Sequence, residues 1–229
     1  MDPAATSVVL VHGAFADGSS WDRVIPLLQA QGIEAIAVQN PLTSLDDDVA
    51  HVQRAVDRAK GRVVLVGHSW GGAVITQIGD QDKVKALVYV AAFAPAVGQS
   101  PNDTLKPFPP SPGLSSVSAD KAGFLFLSAD SLAKNFAQDL PASAAALMAA
   151  TQGPVSAACF RSKVTAAAWA GKPAWYVVAG QDRMLPPAFL RDTAARIGAR
   201  TVEVEASHVP HLSKPEAVAA VIIEAARAG

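Results

Sequence analysis

Four short stretches of this 229-residue sequence combine residue types that could activate a hydroxyl as a nucleophile. The first is Gly67-His68-Ser69-Trp70-Gly71-Gly72, which directly follows the apolar run Val63-Val64-Leu65-Val66 and opens an amphipathic segment. A serine on so tight a strand-to-helix turn needs glycine on both flanks, because side chains there would collide. Its hydroxyl is then pushed out of the chain, above a helix N-terminus where developing negative charge is favoured. Serine is a weak nucleophile unaided, so a base must take its proton and a third group must orient that base. An isolated Gly-x-Ser-x-Gly is common by chance. A strand before it and a helix after it are what give this one its meaning.

The second stretch, His12-Gly13-Ala14-Phe15, follows the first apolar run. Acyl transfer needs donors placed in advance for the oxyanion of the tetrahedral intermediate. The backbone N–H groups of Ala14 and Trp70 are the candidates, and Gly13 would let the chain approach closely. On its own, this stretch would be read as a strand-ending glycine turn.

The third and fourth stretches supply a carboxylate and an imidazole. Gly180-Gln181-Asp182-Arg183 comes after Trp175-Tyr176-Val177-Val178, and Ser207-His208-Val209-Pro210-His211 comes after the last apolar run. Side chains at the carboxyl ends of parallel strands face the crevice where such sheets bind ligands. Ser69, Asp182 and His208 therefore form the candidate catalytic set. Two histidines compete for the base. His208 directly follows the strand, where the sheet still holds the backbone, whereas His211 could line the pocket or pair with a helix end. His12 and His68 read as structural or supporting, and His51 falls on a helix face.

The elements that must position these groups alternate. Strands are expected at Ser7–Val11, Ile33–Val38, Arg62–Val66, Val84–Val90, Ala174–Val178 and Thr201–Glu205. Helices are expected at Ser20–Gln31, Leu45–Lys60, Trp70–Asp80, Pro187–Ile197 and Lys214–Ala228, the last with a capping box of Ser213 and Glu216. Such alternation is the pattern of a parallel sheet covered by helices. It breaks between Pro95 and Gly171. Six prolines fall between Pro95 and Pro112, which argues against a helix or a central strand there. A short apolar run, Gly123–Leu127, and two Ala-rich segments around Ser131–Leu140 and Ala142–Ala150 follow. Residues 1–94 and 172–229 are thus expected to form the core, and residues 95–171 a cap over the site. Phe15, Phe124 and Trp169 are the residues expected to line the substrate pocket.

Composition narrows the functional classes. Half of the residues are hydrophobic, 17% are charged and the formal net charge is −1. That leaves no electrostatic footprint for nucleic acid or an anionic membrane surface. The apolar runs are too short for a membrane span or a signal sequence, so a soluble cytoplasmic protein is expected. The single cysteine, Cys159, permits no internal disulfide and reads as a buried small hydrophobe. No His/Cys/Asp cluster has ligand spacing, so neither metal nor cofactor is expected. The expected partner is a small-molecule ester, with a homodimer left open.

At these residues the sequence resembles the small α/β-hydrolases, particularly the branch of plant methylesterases and hydroxynitrile lyases. The likeness runs through His12–Phe15, Gly67–Gly72, Gly180–Pro187 and Ser207–Val218, and is weakest in the cap. It implies an α/β-hydrolase fold with a six-stranded, mostly parallel sheet and the first strand placed between the second and third. The family's first two strands have no counterpart, since six residues precede Ser7. The resemblance also implies that His208 is the base and that Ala14 and Trp70 donate to the oxyanion. Hydroxynitrile lyases of the branch carry lysine after that histidine and threonine at the position of Gly13, whereas this chain has Val209 and Gly13. Both differences point to the esterase side, and with a cap over the site the expected activity is that of a serine esterase cleaving small apolar esters through an acyl-enzyme. A lactone or amide hydrolase with the same three residues stays open, and a ligand-binding receptor or lyase stands further off.

Overall fold

A computed structural model describes residues 6–228. Residues 1–5 and 229, which the expected core segments include, lie outside the described residues. In the first part, short apolar runs rich in valine form strands and longer amphipathic ones form helices: β1 (Thr6–Val11), α1 (Ile25–Gln29), β2 (Glu34–Ala37), α2 (Leu45–Arg58), β3 (Arg62–His68), α3 (Trp70–Ile78) and β4 (Val84–Val90). The excursion that follows contains α4 (Pro101–Leu105), β5 (Ser118–Ala119), β6 (Phe124–Phe126), α5 (Ala129–Ser131), α6 (Ala142–Thr151), β7 (Val155–Ser156) and α7 (Ala157–Arg161). The chain then returns with β8 (Ala174–Ala179), α8 (Pro187–Arg196), β9 (Arg200–Val204), α9 (Pro210–Ser213) and α10 (Pro215–Arg227).

Six strands make one sheet in the order β2-β1-β3-β4-β8-β9, with β1 between β2 and β3 as the resemblance implies. Every neighbouring pair is parallel. Alternation along each strand divides the apolar residues between two faces. Val9, Val11, Leu65 and Tyr89 pack against α2, α3 and α8, while Val8, Leu10, Val66 and Trp175 pack against α1 and α10. Burial on both faces explains why these strands read as unbroken apolar runs. All six strands end at the same edge, so the motifs after β1, β3, β8 and β9 converge there.

Four local expectations need correction. Residues 20–31 are not one helix: Asp17 caps a tight helical turn at Gly18–Trp21, and α1 begins afresh with Pro26 in its first turn. Proline fits there because the first turn's N–H groups lack partners anyway. The same physics makes α4 inside the proline-rich stretch, where Pro101 occupies the first helical position. Ser100 and Asp103 close a capping box around it. Ser213 does not cap the last helix, since the extra turn α9 takes Ser213 and Lys214 becomes the junction. The excursion also holds a small antiparallel sheet, β5-β6-β7, that the apolar run Gly123–Leu127 disclosed only in part.

Candidate active site

A single residue separates β3 from α3. Ser69 fills that position with φ 50° and ψ −117°, in the left-handed region that L-residues rarely adopt. A Cβ on Gly67 would stand 2.5 Å from Gly71 O, so only glycine passes the turn. The strain is held from outside. Ser69 N–H donates to Val90 O at 3.2 Å, and Ser69 O accepts from the Phe93 N–H at 3.1 Å. The Tyr176 hydroxyl braces that neighbouring segment, donating to Ala92 O at 2.5 Å and accepting from Ala92 N–H at 3.1 Å. Phe15, Leu42 and Ala91 also have positive φ. Such residues cost about 1–3 kcal/mol apiece and cluster where geometry matters more than stability.

The structure brings Ser69, His208 and Asp182 together. His208 Nε2 lies 2.9 Å from Ser69 Oγ, and His208 Nδ1 lies 2.6 Å from Asp182 Oδ2. The other carboxylate oxygen, Oδ1, accepts from the Met184 N–H at 2.7 Å and the Leu185 N–H at 2.9 Å. Both oxygens are occupied, so the carboxylate cannot rotate away from the imidazole. The His208 and Asp182 side chains are 2% and 0% exposed. In that dry setting the carboxylate makes Nδ1 the protonated nitrogen and leaves Nε2 free to accept from Ser69 Oγ–H.

The turn after β1 lies against the serine. A Cβ on Gly13 would stand 2.8 Å from Ser69 Cβ and 2.9 Å from His68 Nδ1, so the approach needs glycine. Among the described residues, neither the Ala14 N–H nor the Trp70 N–H has an acceptor. His12 shapes this turn: Nδ1–H donates to Gly13 O at 2.8 Å, and Nε2 accepts from the Asn40 N–H at 2.9 Å. Burial holds its pKa below the ordinary imidazole value, which keeps that neutral tautomer.

The other histidines take different places. His68 Nε2–H donates to His208 O at 2.8 Å, and its ring packs 4.9 Å from that of His208. His211 lies in the short helix α9 and is not among the residues that wall the cavity at Phe15 and Phe93. It is fully buried between the rings of Trp21 at 4.5 Å and His68 at 4.4 Å, and neither ring nitrogen has a partner. Burial, then the nearby His208, pushes the His211 pKa down to about 3, and burial pushes His68 well below its ordinary value. His51 stands on α2 beside Ile36–Gln39, away from the serine.

A mostly apolar cavity of about 250 Å³ is walled by Phe15, Phe93, Leu105, Leu114, Leu125 and Phe160, with Asn102 and Arg161 also at its wall, and Phe15 and Phe93 connect it to the surroundings of the serine turn. Of the three expected lining residues only Phe15 belongs to it. In β6 the pleat turns Leu125 toward the cavity and its neighbours Phe124 and Phe126 to the other face. Trp169 lies elsewhere: its indole N–H donates to Pro95 O at 3.1 Å, under the Arg196 guanidinium. It anchors the returning chain instead of touching the site.

Several residues near the site escaped the sequence reading. Phe93 was within reach of it, standing just past the end of β4 beside the serine turn. Phe160 and Phe136, whose ring lies 5.0 Å from that of His208, depend on the path of the excursion and carry no local signal. Asp48 does carry one. Among Asp46, Asp47 and Asp48 it alone shares the helical stripe of Leu45, Val52 and Val56, and it is fully buried.

Among the described residues, no group of three or more His, Cys, Asp or Glu side chains could hold a metal ion. No described helix is long and apolar enough to cross a membrane. A pyrethroid hydrolase of Sphingobium wenxiniae is 35% identical over 121 residues, spanning 47% of this chain and 43% of that one. Methylesterase 8 of Arabidopsis thaliana is 30% identical over 115 residues, spanning 44% and 42%. The aligned parts thus cover less than half the length of these two relatives. The crystal structure of a pyrethroid hydrolase from Sphingobium faniae JZ-2 superposes with a TM-score of 0.83, at 26% identity and 98% coverage of both chains. The alpha/beta hydrolase family profile matches residues 8–221, and the chain belongs to that family.

Proposed function

We propose that this hydrolase is a serine esterase that cleaves small apolar carboxylic esters through an acyl-enzyme. The observation that carries the reading is the hydrogen-bonded line from Ser69 Oγ through His208 to Asp182. Ser69 Oγ attacks the ester carbonyl while His208 Nε2 takes its proton. Asp182 holds the imidazole in the required tautomer and stabilises its charged form. The Ala14 and Trp70 N–H groups hold the oxyanion, each such donor being worth roughly 10²–10³ in turnover. The proton on His208 then passes to the leaving alcohol, and water attacks the acyl-enzyme by the same route in reverse. The esterase-type relatives support this class of bond, and the predominance of apolar residues in the cavity wall, Asn102 and Arg161 apart, supports an apolar acyl chain.

The cavity's size sets the expected substrate. Each methylene that enters contributes about 0.8 kcal/mol, until the pocket is full and a clash outweighs the gain. On p-nitrophenyl esters from acetate to palmitate, kcat/KM should peak at roughly two to six acyl carbons. A serine-directed phosphonate should label Ser69 alone. A maximum at long chains, or activation at an oil–water interface, means that the excursion opens as a lipase lid and that the substrate class is wrong.

A further inference from the structure

The elbow's first helical residue is tied by its side chain to a carboxylate that the reaction does not use. Trp70 Nε1–H donates to Asp48 Oδ2 at 2.6 Å, and Asp48 Oδ1 accepts from the Leu42 N–H at 2.8 Å. Leu42, at φ 58°, in turn holds part of the excursion. Its carbonyl accepts from the Ser156 N–H at 2.8 Å and, more weakly, from the Cys159 thiol at 3.6 Å. Ser156 also caps α7 through its side chain, and α7 carries Phe160, whose ring packs 5.7 Å from that of Trp70. The contacts close into a circuit from Trp70 to Asp48, Leu42, Ser156, Phe160 and back to Trp70.

A carboxylate with no exposed surface and, among the described residues, no ion-pair partner in contact is an expensive way to pin two donors. An apolar pair of the same volume would be easier to bury. What a carboxylate supplies is direction, since charge-assisted hydrogen bonds are short and fix the donor's orientation. Trp70 is the residue whose backbone N–H faces the developing oxyanion, and its ring backs the Phe160 wall of the cavity.

On the reading that this chain is a serine esterase, we propose that Asp48 is a positioning residue for the reaction. It acts through the Trp70 indole, fixes the oxyanion donor at the start of α3, and ties that donor to the part of the excursion that walls the acyl cavity. Removing the carboxylate lets the Trp70 ring re-orient, and the N–H and the Phe160 wall lose their shared reference.

Asp48→Asn, Trp70→Phe and the double variant form the test, measured on p-nitrophenyl butyrate and by phosphonate labelling of Ser69. Trp70→Phe keeps the backbone N–H but loses the indole donor and part of the buried ring that packs on Phe160. Each single change should lower kcat about tenfold, less than outright loss of an oxyanion donor. The double variant should be little worse than Trp70→Phe alone, because Asp48 acts through the indole that this change removes. Thr76→Val is the control: this α3 residue bonds Gly72 O and the Tyr89 hydroxyl, away from the circuit, and should lower Tm while keeping kcat. Should Asp48→Asn not fold, the Trp70 indole proton still reads the bond. It should resonate downfield of the unpaired Trp21 indole and of Trp169, as Trp175 on Glu224 also should, and it is identified by its disappearance in Trp70→Phe. Additive losses, a wild-type kcat in Asp48→Asn, an equal kcat loss in Thr76→Val, or an indole signal in the ordinary range each overturn the proposal. A wild-type protein that neither hydrolyses the ester nor takes the label instead overturns the esterase reading, and this inference with it.

Discussion

His208 and His211 stand three residues apart and are almost equally buried, yet their surroundings differ in kind. Around His208 every polar atom has a partner: a carboxylate on one ring nitrogen and a hydroxyl on the other. Around His211 the polar atoms are stranded, with both its nitrogens, His68 Nδ1 and Trp21 Nε1 all unpaired. Burial by itself makes a histidine inert, because it disfavours the charged form and leaves nowhere for the proton to go. Burial with a fixed carboxylate makes a base, because the charged form has a counterpart waiting. On the proposed mechanism the proton acceptor is distinguished by its partners, since depth does not separate the two.

The largest test of that contrast is catalytic. Ser69→Ala and His208→Ala should each fold and lose turnover on the order of 10⁴-fold, since such residues act as a unit. His211→Met should keep kcat within a few-fold. Equal damage at the two histidines would erase the distinction.

A second test reads stability against pH. The depressed pKa of His211 means that the unfolded chain binds a proton which the native protein refuses. Its contribution is therefore present above the unfolded value near 6.5 and is lost as pH falls toward about 3. Between pH 7.5 and 4.5 the wild type should lose about 2–3 kcal/mol on this account. Thermal melts of His211→Met should show a correspondingly flatter acid limb, and an unchanged slope would mean that His211 is not the group responsible.

Asp48 sharpens the comparison with the opposite sign. Burial raises its pKa to about 6 despite the bonds from Trp70 and Leu42. Its stabilising contribution is fully present below the unfolded value near 3.9 and is lost as pH rises through about 6. Stability of the wild type relative to Asp48→Asn should thus improve by about 2 kcal/mol from pH 7.5 to 4.5. Paired melts at the two values measure it, and a gap that narrows on acidification would contradict the assignment.

How much could be read beforehand follows from how local each signal is. The sheet was legible because strands buried on both faces must be apolar throughout, and Val63–Val66 or Val84–Val90 can hardly be anything else. Ser69, Asp182 and His208 were legible because parallel strands deliver their C-terminal residues to one edge. The excursion was not, because its path is set by contacts between segments and not by any one segment's pattern. Phe124 and Trp169 looked as suitable for a pocket as Phe160, and only the β6 pleat and the bond to Pro95 O decide among them. Pro101 misled for another reason: the rule against proline in helices does not reach a helix's first turn.

The strand at one rim of the large sheet has a consequence for life in concentrated solution. β9 has a partner on one side only, and such an edge is a template on which further chains can add strand by strand. Here it is short and carries two opposite charges, Arg200 and Glu203. Arg200 reaches Glu224, and Glu203 holds Arg191 in a two-pronged contact of 2.6 Å and 2.9 Å. An incoming strand would have to strip water from these groups for a gain limited to Val202, the exposed apolar residue on that strand. Replacing Arg200 and Glu203 with valine or threonine should therefore raise the light scattering of a concentrated solution on standing.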